Sequence, residues 1–218
     1  MVIFDCNGVL VDSEPLATSI VSDEFIRAGF ALTPDIVARY FTGRRLTDIF
    51  AEVQAAAGRP LPADLPQNIA SAILRRFREE LRATRHMAHA LSWLRGPKCV
   101  ASSSAIDRIR LSLESTDLLR FFEPYLFSGN DVPNGKPAPD LFLHAARVMN
   151  VHPADCIVVE DSPVGVAAGA AAGMSVIGFT GGSHAGTRLG EHLRAVGART
   201  IVTDMRALKG AIIDLRGW

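Results

Sequence analysis

Residues 2–14 read VIFDCNGVLVDSE, and this stretch decides the fold. The apolar run Val2 to Phe4 leads into an acid, a small residue and a glycine, which is typical of a strand that ends at a reactive turn. Two residues beyond Asp5 stands Asn7, where a second carboxylate would make chemical sense. Ser13-Glu14-Pro15 then indicates a helix start, with serine as its cap and proline in its first turn. The sequence therefore predicts that the chain leaves a sheet for a helical segment near residue 13.

The bulk composition is that of an ordinary soluble protein without a polyanionic partner. The 218 residues are 48% hydrophobic, enough to bury a substantial core. Lys+Arg and Asp+Glu both number 23, so no net field would attract nucleic acid or an anionic membrane. Three widely spaced cysteines, Cys6, Cys99 and Cys156, lie in or beside apolar runs and indicate buried thiols of a reduced compartment. We expect a cytoplasmic monomer or dimer with no nucleic-acid or membrane partner.

One uncharged stretch resembles a membrane helix. Between Ser162 and Thr187 no Asp, Glu, Lys or Arg occurs, and glycines recur at positions 165, 169 and 173. The stretch is rich in alanine and glycine rather than leucine, and it breaks before the strand-like run SVIGF. We interpret the glycines as the face of a helix that lies tightly on a sheet.

Short apolar or β-branched runs recur in the second half of the chain, each followed by a helical pattern. They are CVASS (99–103), YLFS (125–128), CIVVE (156–160), SVIGF (175–179) and TIVT (200–203). With the first run, they predict an α/β fold, a Rossmann-like parallel sheet with helices on both faces. Residues 14–84 instead carry helical periodicity with proline and glycine breaks, which predicts an inserted all-α cap domain. The predicted domains are a core of residues 1–13 and 85–218 and a cap of residues 14–84.

The residues at the ends of these strands form the candidate site. In open parallel sheets, ligands bind beyond the carboxyl ends of the strands. Carboxylates there suit Mg²⁺, while hydroxyl and ammonium donors suit phosphoryl oxygens. The side chains that end or follow the first four strands are Asp5, Ser102, Ser103, Lys136, Glu160 and Asp161.

Four segments in order, FDCNGVLVDSE, VASSS, GKPAPD and VVEDSPVGVAAGAAAGM, resemble the four motifs of the haloacid dehalogenase (HAD) superfamily. The resemblance is to its β-phosphoglucomutase-like and sugar-phosphate phosphatase subgroup, which carries a small helical cap after motif one. It covers nearly the whole chain, and four ordered motifs are highly specific. It implies Mg²⁺-dependent hydrolysis of a small sugar, sugar-acid or polyol phosphate through an aspartyl-phosphate intermediate.

The resemblance also implies a role for each candidate residue. Asp5 would be the catalytic nucleophile, and Ser102 and Lys136 would hold the phosphoryl group. The metal site would consist of Asp5, the backbone carbonyl of Asn7, Glu160 and Asp161. The substrate would in addition contact Ser103 and the cap residues Gly43, Arg44 and Arg45, for which a solvated loop is the alternative interpretation.

Asn7 departs from the family pattern. The family carries aspartate there, which protonates the leaving oxygen and then deprotonates the hydrolytic water. An amide cannot transfer a proton, and loss of a general acid/base costs about 10²–10⁴-fold, so turnover should be impaired. Four explanations stay open: a substitution that traps a ligand, a natural low-activity form, a chemistry that needs no acid here, or an aspartate misread as asparagine.

Two alternative functions also stay open. A non-catalytic phosphosugar-binding protein would keep the phosphate and metal groups without the acid/base. A 2-haloacid dehalogenase needs no proton donor, but it also needs no Mg²⁺ and is expected to carry tyrosine at position 7. A phosphonatase is excluded because all three lysines, at positions 98, 136 and 209, lie outside the insert. A mutase would need a histidine near Ala17.

Overall fold

A six-stranded parallel sheet lies at the centre of the computed structural model, which describes residues 1–216. The strands are β1 (Val2–Phe4), β2 (Lys98–Ser102), β3 (Leu126–Ser128), β4 (Ile157–Glu160), β5 (Ser175–Phe179) and β6 (Thr200–Val202). Their order is β3-β2-β1-β4-β5-β6, and every neighbouring pair is parallel. This is the doubly wound order of a Rossmann-like sheet, so the predicted fold class is confirmed. Residues 217 and 218 of the predicted core lie outside the described residues.

Helices fill the remainder of the chain. The segment between β1 and β2 contains α1 (Glu14–Arg27), α2 (Pro34–Phe41), α3 (Leu46–Ala57), α4 (Leu65–Glu80) and α5 (Met87–Trp93). The later helices are α6 (Ile106–Ser115), α7 (Asp140–Val148), α8 (Pro163–Ala171), α9 (Leu189–Ala195) and α10 (Leu208–Arg216). Short 3₁₀ turns occur at Leu119–Phe121, Gly129–Asp131, Pro153–Asp155 and Met205–Ala207. No strand interrupts residues 14–80, as expected for an all-α insert.

The strands read as continuous apolar runs because both faces of the sheet are covered. In β1, Val2 and Phe4 face one hydrophobic cluster and Ile3 faces the other. The first cluster also contains Ile69 and Phe77 of α4, so one continuous core joins the sheet to the helical insert. The three cysteines are buried free thiols, as predicted.

The chain passes between sheet and insert at two adjacent segments. Val11 forms an antiparallel bridge with Ala83. The N–H of Asp12 donates to the carbonyl of Arg82 at 3.0 Å. The crossings therefore lie side by side, next to the predicted boundaries of the cap at residues 14 and 84. The division into these two domains stays a prediction.

The glycine-rich stretch forms α8, which packs on the sheet. A Cβ on Gly169 would lie 2.8 Å from the side chain of Val176 in β5, so only glycine permits this approach. Gly173 has φ +74° just beyond the helix end. Among residues 1–216, no helix is long and apolar enough to cross a membrane. The geometry agrees with a helix lying tightly on a sheet.

Candidate active site

The predicted strand-end residues meet at one edge of the sheet, where the strand order reverses. β1 lies between β2 and β4, and the loop after β3 reaches the same edge. The resulting cavity of about 60 Å³ is called the polar cleft here. Its lining includes Asp5, Asn7, Ser102 and Asp161 from the sheet edge and Gly43 and Arg44 from the insert.

Lys136 is the centre of a buried ion cluster beneath the polar cleft. Its Nζ donates to Oδ1 of Asp5 at 2.7 Å and to Oε1 of Glu160 at 2.6 Å. The side chains of Lys136 and Glu160 are 0% exposed and that of Asp5 is 7% exposed. Burial alone would lower the pKa of Lys136, but attraction to the two carboxylates outweighs burial and raises it. The lysine is therefore a permanent cation beside Asp5.

Asp5 has the protonation state and the free oxygen that a nucleophile needs. Burial raises its pKa to about 6 against the opposing attraction of Lys136. The carboxylate is therefore mostly ionised at neutral pH. Lys136 engages Oδ1, and within residues 1–216 no hydrogen bond engages Oδ2. Ser102, also on the cleft, accepts only a long hydrogen bond of 3.4 Å from the N–H of Ser104, which leaves its hydroxyl hydrogen for a ligand.

The carboxylate of Glu160 is buried and accepts hydrogen bonds from groups within the fold. One of its oxygens accepts from Lys136, and the other accepts from the N–H and the hydroxyl of Ser162 at 2.9 and 3.0 Å. A Cβ on Gly165 would overlap this carboxylate, so the glycine makes room for it. Both oxygens thus have partners within the fold, and the role of Glu160 at the metal stays a prediction. Its geometry is that of a residue that positions Lys136.

Asp161 carries the unsatisfied oxygen of the site. Its Oδ2 is buried and makes no hydrogen bond within the described chain. Nε2 of His184 lies 2.9 Å away, an ion-pair distance, but the angle is not that of a hydrogen bond. Burial is the largest cause that raises the pKa of Asp161 to about 8, and proximity to His184 opposes it. Gly8, with φ +74°, approaches so closely that a Cβ there would overlap Oδ2.

These groups fit Mg²⁺ better than a metal held by protein groups alone. Mg²⁺ keeps several waters and takes one or two carboxylates together with substrate oxygens. Asp5 and Asp161 offer two carboxylates on the same cleft, and within residues 1–216 Oδ2 of Asp161 accepts no hydrogen bond, with Nε2 of His184 as its close neighbour. In the part of the chain that the structure describes, no group of three or more His, Cys, Asp or Glu residues is placed to hold a metal.

The side chain of Asn7 ties the turn after β1 to its surroundings. Its Nδ2 donates to Oγ of Ser104 at 2.8 Å, and its Oδ1 accepts from Oγ of Ser13 at 3.2 Å. Ser13 stands at the N-cap position of α1, as predicted, but its side chain makes no capping hydrogen bond because the hydroxyl donates to Asn7 instead. Both hydroxyls could equally donate to an aspartate at position 7.

Gly43 and Ser103 form a bridge between insert and core. The hydroxyl of Ser103 donates to the carbonyl of Gly43 at 2.8 Å. Gly43 has φ +79°, and a Cβ on it would meet Cβ of Ser162 at 2.6 Å. Both residues line the polar cleft, where a substrate contact was predicted, and their own hydrogen bond closes one side of it.

Arg44 and Arg45 have different environments. Arg44 lines the cleft, but its guanidinium pairs with the exposed carboxylate of Glu52. Arg45 forks onto Asp48 at 2.9 and 3.0 Å and donates to core carbonyls, among them that of Gly129 at 3.1 Å. The structure thus places Arg45 as a clasp between insert and core. Its donors have protein partners in this structure, and its predicted substrate contact stays a prediction.

Two further residues at the cleft were not predicted from the sequence. Arg108, on α6, lines the polar cleft six residues beyond Ser102. His184, in the loop after β5, lies beside Asp161. His184 could have been found because it follows the carboxyl end of a parallel strand. Nothing in the sequence distinguishes Arg108 from other arginines on helices.

Known proteins resemble this chain along nearly all of its length. The family model described as haloacid dehalogenase-like hydrolase matches residues 1–173. A 6-phosphogluconate phosphatase of Escherichia coli is 35% identical, over 84% of this chain and 83% of its own length. A haloacid dehalogenase-like protein of unknown function from Agrobacterium tumefaciens superimposes with a TM-score of 0.82 at 34% identity, over 99% of this chain and 98% of its own.

A HAD family hydrolase of Deinococcus radiodurans, crystallised with bound phosphate and sodium, has a TM-score of 0.74 at 28% identity. It is covered over 95% of its length, and this chain over 99%. Together these matches confirm the resemblance that the four motifs indicate.

Proposed function

Because the chain belongs to the haloacid dehalogenase-like hydrolases, we propose that it is a Mg²⁺-dependent phosphatase of small sugar, sugar-acid or polyol phosphates. The observation that carries the proposal is the meeting of four groups at the polar cleft. Among residues 1–216 they are a carboxylate with one oxygen that accepts no hydrogen bond, a buried ammonium, a hydroxyl with an unused hydrogen and a second carboxylate with one oxygen that accepts no hydrogen bond. Such a set matches the needs of phosphoryl transfer, which are positioning and charge neutralisation.

The first step of the proposed reaction uses Asp5 as the nucleophile. An oxygen of Asp5 bonds to phosphorus, the ester P–O bond breaks, and the leaving oxygen takes a proton from water to depart as the alcohol. Ser102 and Lys136 donate to the phosphoryl oxygens during this transfer. Asp5, Asp161 and the backbone carbonyl of Asn7 would hold Mg²⁺, which when bound offsets the repulsion between an anionic carboxylate and an anionic phosphate.

The second step returns the free enzyme. Water attacks the phosphorus of the aspartyl phosphate, orthophosphate is released, and the Asp5 carboxylate is regenerated. Both steps need a proton carrier, and the amide of Asn7 cannot act as one. We therefore expect turnover about 10²–10⁴-fold below that of a chain with aspartate at this position.

The test is phosphate release from a panel of sugar, sugar-acid and polyol phosphates with Mg²⁺. This chain is compared with an Asn7→Asp variant, whose carboxylate can accept the same two hydroxyl hydrogen bonds. We expect the variant to release phosphate faster by at least about 10²-fold. If neither form releases phosphate while both bind phosphorylated ligands, a non-catalytic phosphosugar-binding protein replaces the proposal. Halide release from a 2-haloacid without Mg²⁺ would replace it with a dehalogenase.

The partner in this proposal is a small phosphorylated molecule. A cytoplasmic location and a monomeric or dimeric state stay predictions from composition.

A further inference from the structure

Arg108 is a cation on the polar cleft that the proposed reaction does not use. It lies in the first turn of α6, on the core side of the cleft. It also lines a neighbouring, mostly apolar cavity of about 240 Å³ between α3, α4 and α6. Its guanidinium lies over the ring of Phe77 in α4, 4.9 Å from the ring centre. The partly buried charge therefore lies in the contact between core and insert.

This guanidinium is the unpartnered cation of the cleft. Within residues 1–216, Arg108 forms no salt bridge, and its Nε is buried without a hydrogen-bond partner. Glu14 and Asp5 on the same cleft favour its charge, but neither lies within ion-pair distance. Burial lowers the pKa of Arg108, although an arginine keeps its proton in proteins. A partly buried charge whose Nε has no partner is costly, and an arriving anion would reduce that cost.

The other cations near the cleft differ in this respect. Lys136 pairs with Asp5 and Glu160, and Arg44 pairs with Glu52. A ligand therefore finds one uncompensated positive charge on this side of the described chain, at Arg108. The single charge of the guanidinium matches a monoanion. The planar, forked arrangement of its N–H donors matches a carboxylate. A second phosphate, with nearly two negative charges, would need another free cation.

We propose that Arg108 binds a carboxylate of the substrate, remote from the phosphate that is cleaved. The substrate class is then a sugar-acid phosphate rather than a neutral sugar or polyol phosphate. This inference rests on the proposed function, because it assumes that the phosphate end lies at Asp5 and Lys136. Contact with Phe77 of the insert fixes the guanidinium in the closed cleft.

The test compares two ligands that differ only at the remote end. An aldonic acid phosphate carries a carboxylate where the alditol phosphate of equal length carries a hydroxymethyl group. Calorimetry with Mg²⁺ measures the affinity of each ligand for the full chain and for Arg108→Gln and Arg108→Lys. The matched control is Arg110→Gln, which loses the same charge from the same helix, where Arg110 pairs with Glu123 at an exposed site.

We expect the chain to bind the acid about 10- to 100-fold more tightly than the alditol phosphate, as for a charge-assisted hydrogen-bonded pair. Arg108→Gln should abolish this preference and leave the affinity for the alditol phosphate within about twofold, because that ligand makes no ionic contact there. Arg108→Lys keeps the charge without the fork and should retain part of the preference. Arg110→Gln should change neither affinity.

Three results would overturn the inference. They are equal affinities of the chain for both ligands, equal weakening of both ligands in Arg108→Gln, and an equal Arg108-dependent gain for a sugar bisphosphate. If Arg108→Gln does not fold, as circular dichroism would reveal, Arg108→Lys supplies the comparison. Phosphate release is measured separately. Release is followed in the Asn7→Asp variant, because Asn7 itself slows turnover. The predicted affinity ratio with no phosphate release from that variant supports the carboxylate site and refutes the phosphatase, and release from both ligands at equal affinity does the reverse.

Discussion

The two ends of the polar cleft differ in whether their cation is paired with carboxylates of the protein. At the catalytic end, Lys136 is paired with both Asp5 and Glu160, and all three side chains are buried. At the remote end, Arg108 packs partly buried against Phe77 and has no ion-pair partner among residues 1–216. The catalytic end is therefore organised before any ligand arrives, as electrostatic catalysis requires. The remote end is completed only by a ligand, which is how a site selects among ligands.

The catalytic end can be broken without touching the remote end, and the largest expected effect lies there. In the Asn7→Asp background, Asp5→Asn should lower phosphate release by about 10³-fold or more, because the nucleophile is lost. Calorimetry should still detect binding of phosphorylated ligands, since Lys136 and Arg108 remain. Release within about tenfold of the parent would remove Asp5 from the nucleophilic role.

The pairing at the catalytic end also makes a prediction about stability. Lys136→Met leaves Asp5 and Glu160 as neighbouring buried carboxylates, and breaking such a pair costs about 3–5 kcal/mol. Urea unfolding should show this loss, and adding Glu160→Gln should restore part of it because one uncompensated charge is removed. The control Lys209→Met, at an exposed lysine, should change stability little. An unchanged unfolding free energy in Lys136→Met would mean that the cluster contributes no net stability.

Metal binding tests the unsatisfied oxygen of Asp161. Mg²⁺ at 100-fold its dissociation constant should stabilise the chain by about 2.7 kcal/mol, and Asp161→Asn should lose most of this gain. Thermal unfolding with Mg²⁺ and with a chelator measures both. An equal Mg²⁺ response in the two chains would place the metal elsewhere.

Without Mg²⁺, the carboxyl group of Asp161 makes the free energy of unfolding depend on pH. Burial raises the pKa of Asp161 to about 8 in the folded chain, so the folded state binds its proton more tightly than the unfolded state. This contribution is present at low pH and is lost as the pH rises from about 4 to about 8. Asp161→Asn should lack that loss, so the difference in unfolding free energy between variant and parent should grow across this range.

Weakening the contacts that Arg45 makes between insert and core should give the smallest effect. Arg45→Lys cannot reach Asp48 and the carbonyl of Gly129 together, so the contact between insert and core weakens by about 1 kcal/mol. KM should rise by a few fold for acid and alditol phosphates alike, with their ratio unchanged. A selective loss of the acid would instead assign substrate recognition to Arg45.

The sheet could be predicted closely because both of its faces are buried. Such strands are short apolar runs, and the observed bounds differ from those predicted by at most one residue at either end. Asp5, Ser102, Lys136 and Asp161 could be found because parallel strands deliver their carboxyl ends to one edge. Local sequence was sufficient to place these side chains at the cleft, and their roles stay predictions.

The sequence was less informative where a role depends on a partner far along the chain. Glu160 and Asp161 are neighbours in the sequence, yet one holds Lys136 and the other faces the cleft. Arg44 and Arg45 are also neighbours in the sequence. Only tertiary contacts show that Arg44 pairs with the exposed Glu52, whereas Arg45 donates hydrogen bonds to carbonyls of the core. Arg108 becomes distinctive only through the absence of a partner, which no sequence pattern reports.

The most direct test of the account uses the chain with Asn7 in place. An acyl phosphate has a leaving group that needs no proton, so Asp5 should still be phosphorylated, while Asn7 cannot activate the water that removes the phosphoryl group. Intact mass spectrometry after a rapid acid quench with Mg²⁺ should reveal one added phosphoryl group, and peptide mapping should locate it on Asp5. A chain that stays unmodified while Asn7→Asp turns over, or a phosphoryl group on another residue, would contradict the account.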